Sequence, residues 1–524
     1  MKRIKYVIAA AVLPAIAAAE FKIDRSVMSD EYWKIWNDDA QAKIDADIEK
    51  YRKADATVEI EAPDGAEVSI EQKTHAFFFG AHIFNFNQLG KKEWNDRYKE
   101  LYGTLFNSAT VAFYWRTLEF YPYAPRFEER YEDSEDFWNS RPHPADEPHW
   151  RRPAVDPVIS FLRMRGVRIH GHPLVWGNGN AQTPTWLWDD FCSESEKVAL
   201  QRAAGVKIPR PDFKKPMGWT DRAYTSAYEA AWKKVYERLS EEEVAKLIPT
   251  FLEVQEKFYE ERIRLIAERY GSRVDSWDVV NESATDYNRF GRKAVRRKPF
   301  DASHYGPMPA DYAWKAFMWS QKYLPAKAWL NINDYNMSDA FFQQANDLVA
   351  NGARIDVVGS QMHLFNPAES VRIARGEGPR HLRPTGIAER FRTLSKANRP
   401  IHLSEITITA PDNSARGQMV QAIITRNCYR AWFAVEKMNG ITWWNVVDDC
   451  GWAGEPSISG IFTRDMRPKA AYHALNDLIH REWKTKTAAK AKAGKVSFRG
   501  FRGRYHLRWK NADGTSGYKS IDVK

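Results

Sequence analysis

The chain has 524 residues, 44% hydrophobic, 28% charged and 14% aromatic with 21 Trp, and a formal net charge of +10. The apolar content excludes a wholly disordered chain, three cysteines exclude a disulfide scaffold, and the length admits two to four ordinary domains or one large barrel with extensions. A basic excess spread over the fold would point to nucleic acid, so its location comes first.

Residues 1–19 read MKRIKYVIAAAVLPAIAAA. Lys2, Arg3 and Lys5 form a basic start, Tyr6 to Ile16 an apolar stretch, and Ala17 to Ala19 a small-residue cleavage site, which is the pattern of a removed signal peptide. The apolar stretch falls short of the ~20 residues that span a bilayer, and no later segment reads as a transmembrane helix. Export to the periplasm or the medium is expected. The leader takes three positive charges with it, while residues 481–524 carry 13 Lys/Arg against Glu482, Asp513 and Asp522, a net of +10. The body, 20–480, is left at −3. Binding of nucleic acid is therefore not expected, and the basic tail reads first as a solvated surface.

Residues 38–53 make a charged amphipathic helix, followed by two strand-like runs, Thr57–Ala62 and Ala66–Lys73, around a Pro63-Asp64-Gly65 turn. Eight runs then read as buried strands: Ala76–Ile83, Leu105–Phe113, Val167–Trp176, Arg273–Val280, Ala328–Asn333, Ile355–His363, Pro400–Ile408 and Gly440–Val447. Helical patterns such as Tyr259–Tyr270, Ala340–Asn351 and Ala415–Lys437 alternate with them. This order predicts a (β/α)8 TIM barrel. Two long insertions, 120–156 and 189–249, follow strands and should rise on the C-terminal face, where barrel active sites lie. Thr485–Lys495 reads as a solvated connector, and residues 496–523 as a small β-meander with a turn at Asn511–Gly514. Cys192, Cys428 and Cys450 leave one disulfide open, Cys428–Cys450 for instance, and no CxxC or Cys/His cluster points to zinc.

Carboxylates at barrel strand ends carry the chemistry. Strand four ends Trp277-Asp278-Val279-Val280-Asn281-Glu282, and strand seven runs through Leu403-Ser404-Glu405. Either Glu alone would more often be a cap or a surface charge. Together at one barrel mouth they can flank a glycosidic bond, one protonating the leaving oxygen while the other attacks the anomeric carbon.

At these residues the sequence resembles glycoside hydrolase family 10, the endo-β-1,4-xylanases, over roughly 75–480. His170-Gly171-His172-Pro173-Leu174-Val175-Trp176 resembles the family's Arg-Gly-His-x-Leu-Val-Trp and is followed by Pro184-Thr185-Trp186. Trp277–Glu282 is its WDVVNE, Asn333-Asp334-Tyr335-Asn336 its NDYN, and Gly359-Ser360-Gln361-Met362-His363-Leu364 its G-x-Q-x-H-L. Glu405 falls in its T-E-L-D slot, and Thr442-Trp443-Trp444 with Trp452 resembles its last-strand TFWG…SW.

The resemblance implies a retaining glycoside hydrolase with Glu282 as acid/base and Glu405 as nucleophile. It places Asn281 on a sugar 2-hydroxyl, His363 and Gln361 beside Glu405, His172 and Trp176 in the −1 pocket, and Trp444 and Trp452 as platforms. The bland alternatives are a core role for Trp444 and a metal dyad for His170 and His172, the latter weaker than a hydrogen-bonded pair. The sequence departs from the family after strand two, where Ala112 and Phe113 fill slots for a Glu and an Asn, and only Arg116 keeps a donor near the Lys slot. Gly177 replaces a His, and Thr407 an Asp that supports the strand-six His, a loss expected to loosen His363.

The expected parts are a leader at 1–19, an N-terminal helix and β segment at 20–74, the barrel at 75–482 and a basic β extension at 483–524. The two β pieces should pack as one small accessory module. The expected protein is an exported, monomeric xylan or xylo-oligosaccharide hydrolase without cofactor or metal. The alternatives are a retaining glycosidase for another or decorated β-glycan, or a catalytically weak glycan-binding protein.

Overall fold

The computed structural model describes residues 21–131, 137, 140, 153–177, 183–211, 222–284, 311–451 and 455–524. Fifteen strands fall among them. Two flank the barrel on its N-terminal side, β1 (Lys53–Glu59) and β2 (Glu67–His75). The barrel follows: β3 (Phe78–His82), β4 (Ser108–Ala112), β5 (Arg168–His172), β6 (Val175–Trp176), β7 (Ser276–Asn281), β8 (Trp329–Asp334), β9 (Val357–Leu364), β10 (Ile401–Ile408) and β11 (Met438–Trp443). The last four are β12 (Lys486–Lys490), β13 (Lys495–Phe501), β14 (Gly503–Lys510) and β15 (Ser516–Val523).

The barrel strands run parallel in the order β5-β4-β3-β11-β10-β9-β8-β7, and β5 closes on β7 through His170 opposite Ser276 and Gly171 opposite Trp277. All eight strand expectations fall on these strands. The run Val167–Trp176 is split, because Pro173 has no N–H for the ladder and the Leu174 N–H turns to Asp278 O, 2.8 Å away. The remainder, β6, pairs with the end of β7, Trp176 opposite Asn281. Strands such as β7 and β10 are buried at every residue. That follows from their place between the barrel lumen and an outer layer of helices.

Two glycines make room for the interior. A Cβ on Gly171 would lie 2.3 Å from the Trp277 ring, and one on Gly359 would lie 2.5 Å from Asn333 Oδ1. Two of the helices between strands begin at serine caps: Ser338 opens Asp339–Ala350, and Ser414 opens Ala415–Phe433.

The termini form a small β module with its own core of Val58, Ile60, Val68, Ile70, Val496, Tyr505, Leu507 and Trp509. β1 pairs antiparallel with β13, while β12-β2-β14-β15 make a four-stranded sheet. Despite the turn at 63–65, β1 and β2 belong to different sheets. The expected connector at 485–495 is corrected: its first half is β12, Thr487 opposite Ile70. Only Ala489 turns partly into the module's core while the other side chains are exposed, so no apolar alternation announces it. Arg52 locks the module onto the barrel, donating from Nη1 to Met438 O at 2.6 Å. Trp483 stacks on Phe433 at 4.1 Å at the same junction.

Of the insertions, 189–249 contains the helices Glu194–Ala204, Arg222–Arg238 and Glu241–Leu247, with Trp188 edge-on to Trp232 at 5.0 Å. Much of 120–156 lies outside the described residues. Cys192, Cys428 and Cys450 are all free thiols, so the structure contains no Cys428–Cys450 disulfide.

Candidate active site

At the C-terminal mouth, β7 delivers Asn281 and then Glu282, whose φ of 56° lies in the left-handed region. A non-glycine residue adopts that conformation only when its surroundings hold it there. Here the Glu282 N–H donates to Asn333 O at 2.7 Å. Glu405 arrives from β10 at a register irregularity against both β9 and β11.

One amide joins the two carboxylates: Gln361 Nε2 donates to Glu282 Oε1 and to Glu405 Oε1, each at 3.1 Å. Those two oxygens are thus no more than about 6 Å apart, which fits the ~5–5.5 Å spacing of retaining glycosidases and falls short of the roughly 6.5–9.5 Å of inverting ones.

The surroundings of the two groups differ. Asn333 Nδ2 donates to Glu405 Oε1 at 2.8 Å and to Asn281 Oδ1 at 2.9 Å. His172 Nε2 stands 3.6 Å from Glu405 Oε1, and His363 Nε2 stands 3.4 Å from Oε2. Glu405 is thus surrounded by amide donors and two imidazoles. Among the described residues Glu282 has one side-chain hydrogen bond, from Gln361. Burial, then the nearby Glu405 and Asp334 carboxylates, push its pKa up to about 8. The arrangement offers one buried carboxyl that keeps its proton beside a second that accepts two amide hydrogen bonds, two different environments of the kind glycoside cleavage uses.

His170 and His172 converge on one acceptor: Asp278 Oδ2 lies 2.9 Å from His170 Nε2 and 2.7 Å from His172 Nδ1. Burial alone would raise Asp278, but the two imidazoles outweigh it and hold the carboxyl well below the usual range. Burial alone would lower His172; Glu405, Asp278 and Glu282 together raise it. His363 keeps a partner through Nδ1, 2.9 Å from Thr407 Oγ1, so a hydroxyl takes the place the family gives to a carboxylate.

Trp444 stands beside His172 and His82, with ring centroids 5.6 and 4.9 Å away. It is buried, so it walls the pocket more than it offers an open platform. Tyr114 bridges His172 and Trp176 at 5.3 and 6.0 Å. The Trp176 indole N–H is buried without a partner among the described residues. Trp452 lies outside the described residues.

Arg116 is not in this group: its Nη1 donates to Glu229 Oε1 at 2.8 Å, on the helix Arg222–Arg238. Phe113 is fully buried, packed on Trp277 at 4.8 Å and Tyr270 at 5.5 Å, which removes it from the cleft.

Asn333, Asp278, His82 and Tyr114 belong to the site without having been given a role from sequence. Asn333 and Asp278 stand inside the quoted strand-end motifs, and register sets Asn333 opposite Asn281. His82 ends β3, for which no motif is quoted, and Tyr114 follows β4, after which the sequence departs from the family.

A scan against family models matches residues 237–478 to glycosyl hydrolase family 10. Among curated proteins, the chain is 26% identical over 223 residues to endo-1,4-beta-xylanase A of Halalkalibacterium halodurans, covering 42% of each chain. It is 26% identical over 372 residues to endo-1,4-beta-xylanase C of Paenibacillus barcinonensis, covering 64% of this chain and 27% of that one. The chain thus spans less than half the length of these relatives. Among solved structures, xylanase B from Clostridium stercorarium aligns with 20% identity and a TM-score of 0.45, over 76% of this chain and 96% of that one.

Proposed function

We propose that the chain is a member of glycosyl hydrolase family 10, whose model matches residues 237–478, and a retaining glycoside hydrolase that cleaves β-1,4-xylosidic bonds in xylan or xylo-oligosaccharides. The observation that carries the reading is the Gln361 amide within 3.1 Å of both carboxylates, which fits direct attack by one of them.

Glu282, protonated at neutral pH, gives its proton to the glycosidic oxygen as the bond to the anomeric carbon breaks. Glu405 attacks that carbon and forms a glycosyl-enzyme ester. Glu282, now a carboxylate, takes a proton from water, whose oxygen displaces Glu405 and restores both groups. Asn333, Gln361, His172 and His363 hold the Glu405 carboxylate in place for attack. Asn281, fixed through its oxygen by Asn333, keeps its amide hydrogens for the 2-hydroxyl of the sugar. Trp444 and Trp176 wall the −1 sugar, and the platform role proposed for Trp452 rests on the sequence motif alone.

Export belongs to the same reading and rests on the leader pattern of residues 1–19. Among the described residues, no helix is long and apolar enough to cross a membrane.

A second substrate class within the same chemistry is favoured by one observation. With Phe113 in the core and the Arg116 Nη1 on Glu229, neither side chain supplies the carboxylate or amide with which the family binds the −2 xylose. A decorated β-glycan would take its contacts elsewhere.

Product profiling on xylans, mannan and mixed-linkage glucan separates the two readings. Xylo-oligosaccharides released first as β-anomers are expected. Turnover of another β-glycan with no release from any xylan would replace the first reading by the second.

A further inference from the structure

The four-stranded sheet of the terminal module turns one face to its own core and the other to solvent. Across the open face, register sets Ala488 opposite Ser69, Ser69 opposite Arg508 and Arg508 opposite Tyr518. Two residues along each strand, Lys486, Glu71, His506 and Ser520 form the adjacent row.

Tyr518 is 55% exposed, and the edge of His506 meets its ring at 5.2 Å and 74°. A large ring held in place by a neighbour and open on the sheet surface is a surface on which a sugar can stack. Arg508, its direct cross-strand neighbour, is exposed and makes no side-chain hydrogen bond or ion pair among the described residues. Arg504 on the same strand, by contrast, is paired with Asp522 at 3.0 Å. Ser69 and Ala488 are small, so they leave a level lane running from Tyr518 across all four strands. At 4.7–4.9 Å per strand the lane is about 14 Å long. At its far end stand Lys490, without a side-chain hydrogen bond or ion pair among the described residues, and Lys486, which faces Glu71 and helps hold that carboxyl low, both in the part of the sequence that holds the +10 excess.

We propose that this face is a second glycan site, which holds a uronate-bearing β-glycan chain with Tyr518 under a sugar ring and Arg508 on the uronate carboxylate. The guanidinium suits a carboxylate because its planar fork gives two parallel hydrogen bonds. The unpaired cations then meet an acidic polymer, while the −3 body does not attract one. The inference rests on the polysaccharide reading above and adds to it a site outside the cleft and a preference among decorations.

The test uses the full chain in a Glu405→Ala background, so that the polymer is not cut. Affinity electrophoresis compares gels containing glucuronoxylan, an uncharged arabinoxylan or no polymer, with duplex DNA binding measured in parallel. Tyr518→Ala and Arg508→Ser are each expected to weaken binding to glucuronoxylan tenfold or more. Tyr518→Phe should keep it, and Arg508→Ser should leave the weaker binding to arabinoxylan unchanged. Thermal midpoints report that the variants fold.

Binding to glucuronoxylan that is unchanged in both variants overturns the proposal. So does an equal loss on both xylans in Arg508→Ser, or binding to DNA that is as tight and lost in parallel. The catalytic reading is checked separately by turnover with Glu405 intact. If no xylan is cleaved while binding still depends on Tyr518, the catalytic reading fails and the surface site stands.

Discussion

Arg116 gives its guanidinium to Glu229, 113 residues further along the chain. A donor that sequence reading assigns to the substrate is instead joined to the helix of an insertion. The pair lies at the surface on one side, with Arg116 mostly buried and Glu229 about half exposed. It should contribute no more than about 1 kcal/mol to stability. Glu229→Ala is expected to lower the thermal midpoint slightly and to free Arg116 at the end of β4. Its KM for trimeric and longer substrates should then change, while kcat/KM on an aryl monoglycoside stays within about twofold. An unchanged ratio between long and short substrates would reduce the pair to a brace for the insertion.

The raised pKa of Glu282, about 8, sets two pH dependences of opposite consequence. Because the protonated form is the one that cleaves, kcat/KM should hold up to about pH 8 and then fall roughly tenfold per unit. For stability, the folded pKa stands above the ordinary 4.5, so the contribution of the neutral carboxyl is complete below 4.5 and is lost as pH rises through about 8. Glu282→Gln removes that loss. It should melt above the parent protein at pH 8 but not at pH 4, while losing on the order of 10²–10⁴ in rate on unactivated glycosides. Equal melting differences at both pH values would mean that the carboxyl is not desolvated as the geometry implies.

Thr407 holds His363 by a hydroxyl at 2.9 Å, and His363 stands 3.4 Å from Glu405. The expected loosening of this ring is therefore offset: the partner changed from carboxylate to hydroxyl, but the hydrogen bond remains. Thr407→Val keeps the shape and removes the bond, at a cost of about 1 kcal/mol. A five- to tenfold fall in kcat with little change in KM is expected, together with a changed ¹⁵N signature of the His363 ring. A rate loss without any change at the ring would place the effect in packing.

The barrel was legible because its eight strands are short apolar runs that end in chemistry-bearing residues. The pair Glu282 and Glu405 was legible for the same reason. Arg116 was misplaced because sequence spacing records where a side chain starts and not which distant helix it meets. Phe113 shows the complementary case: an apolar residue in a polar slot reads as an altered subsite, whereas its ring has simply turned into the core against Trp277. β12 escaped notice because a strand with a single partly buried alanine leaves no apolar periodicity. The convergence of His170 and His172 on Asp278 could not be read from one strand alone, since it depends on the closure of β5 onto β7.

Lys469 and Asp448 make the most consequential buried ion pair outside the cleft, at 3.0 Å with 0% and 5% of their side chains exposed. Asp448 Oδ1 also accepts from the Gly460 N–H at 2.8 Å, so the pair closes the loop that leaves β11 behind Trp444. Burial pushes the Asp448 carboxyl up and the Lys469 amine down, each offset by the other's charge. Removing one partner strands the other in the interior. Lys469→Met should therefore cost about 3–5 kcal/mol, read as a lower denaturant midpoint, and raise KM as the wall carrying Trp444 loosens. Asp448→Leu combined with Lys469→Met leaves no orphaned charge and should recover much of that stability. If the double variant is no more stable than Lys469→Met, the loop is held by the geometry of the Gly460 bond and not by the balance of charges.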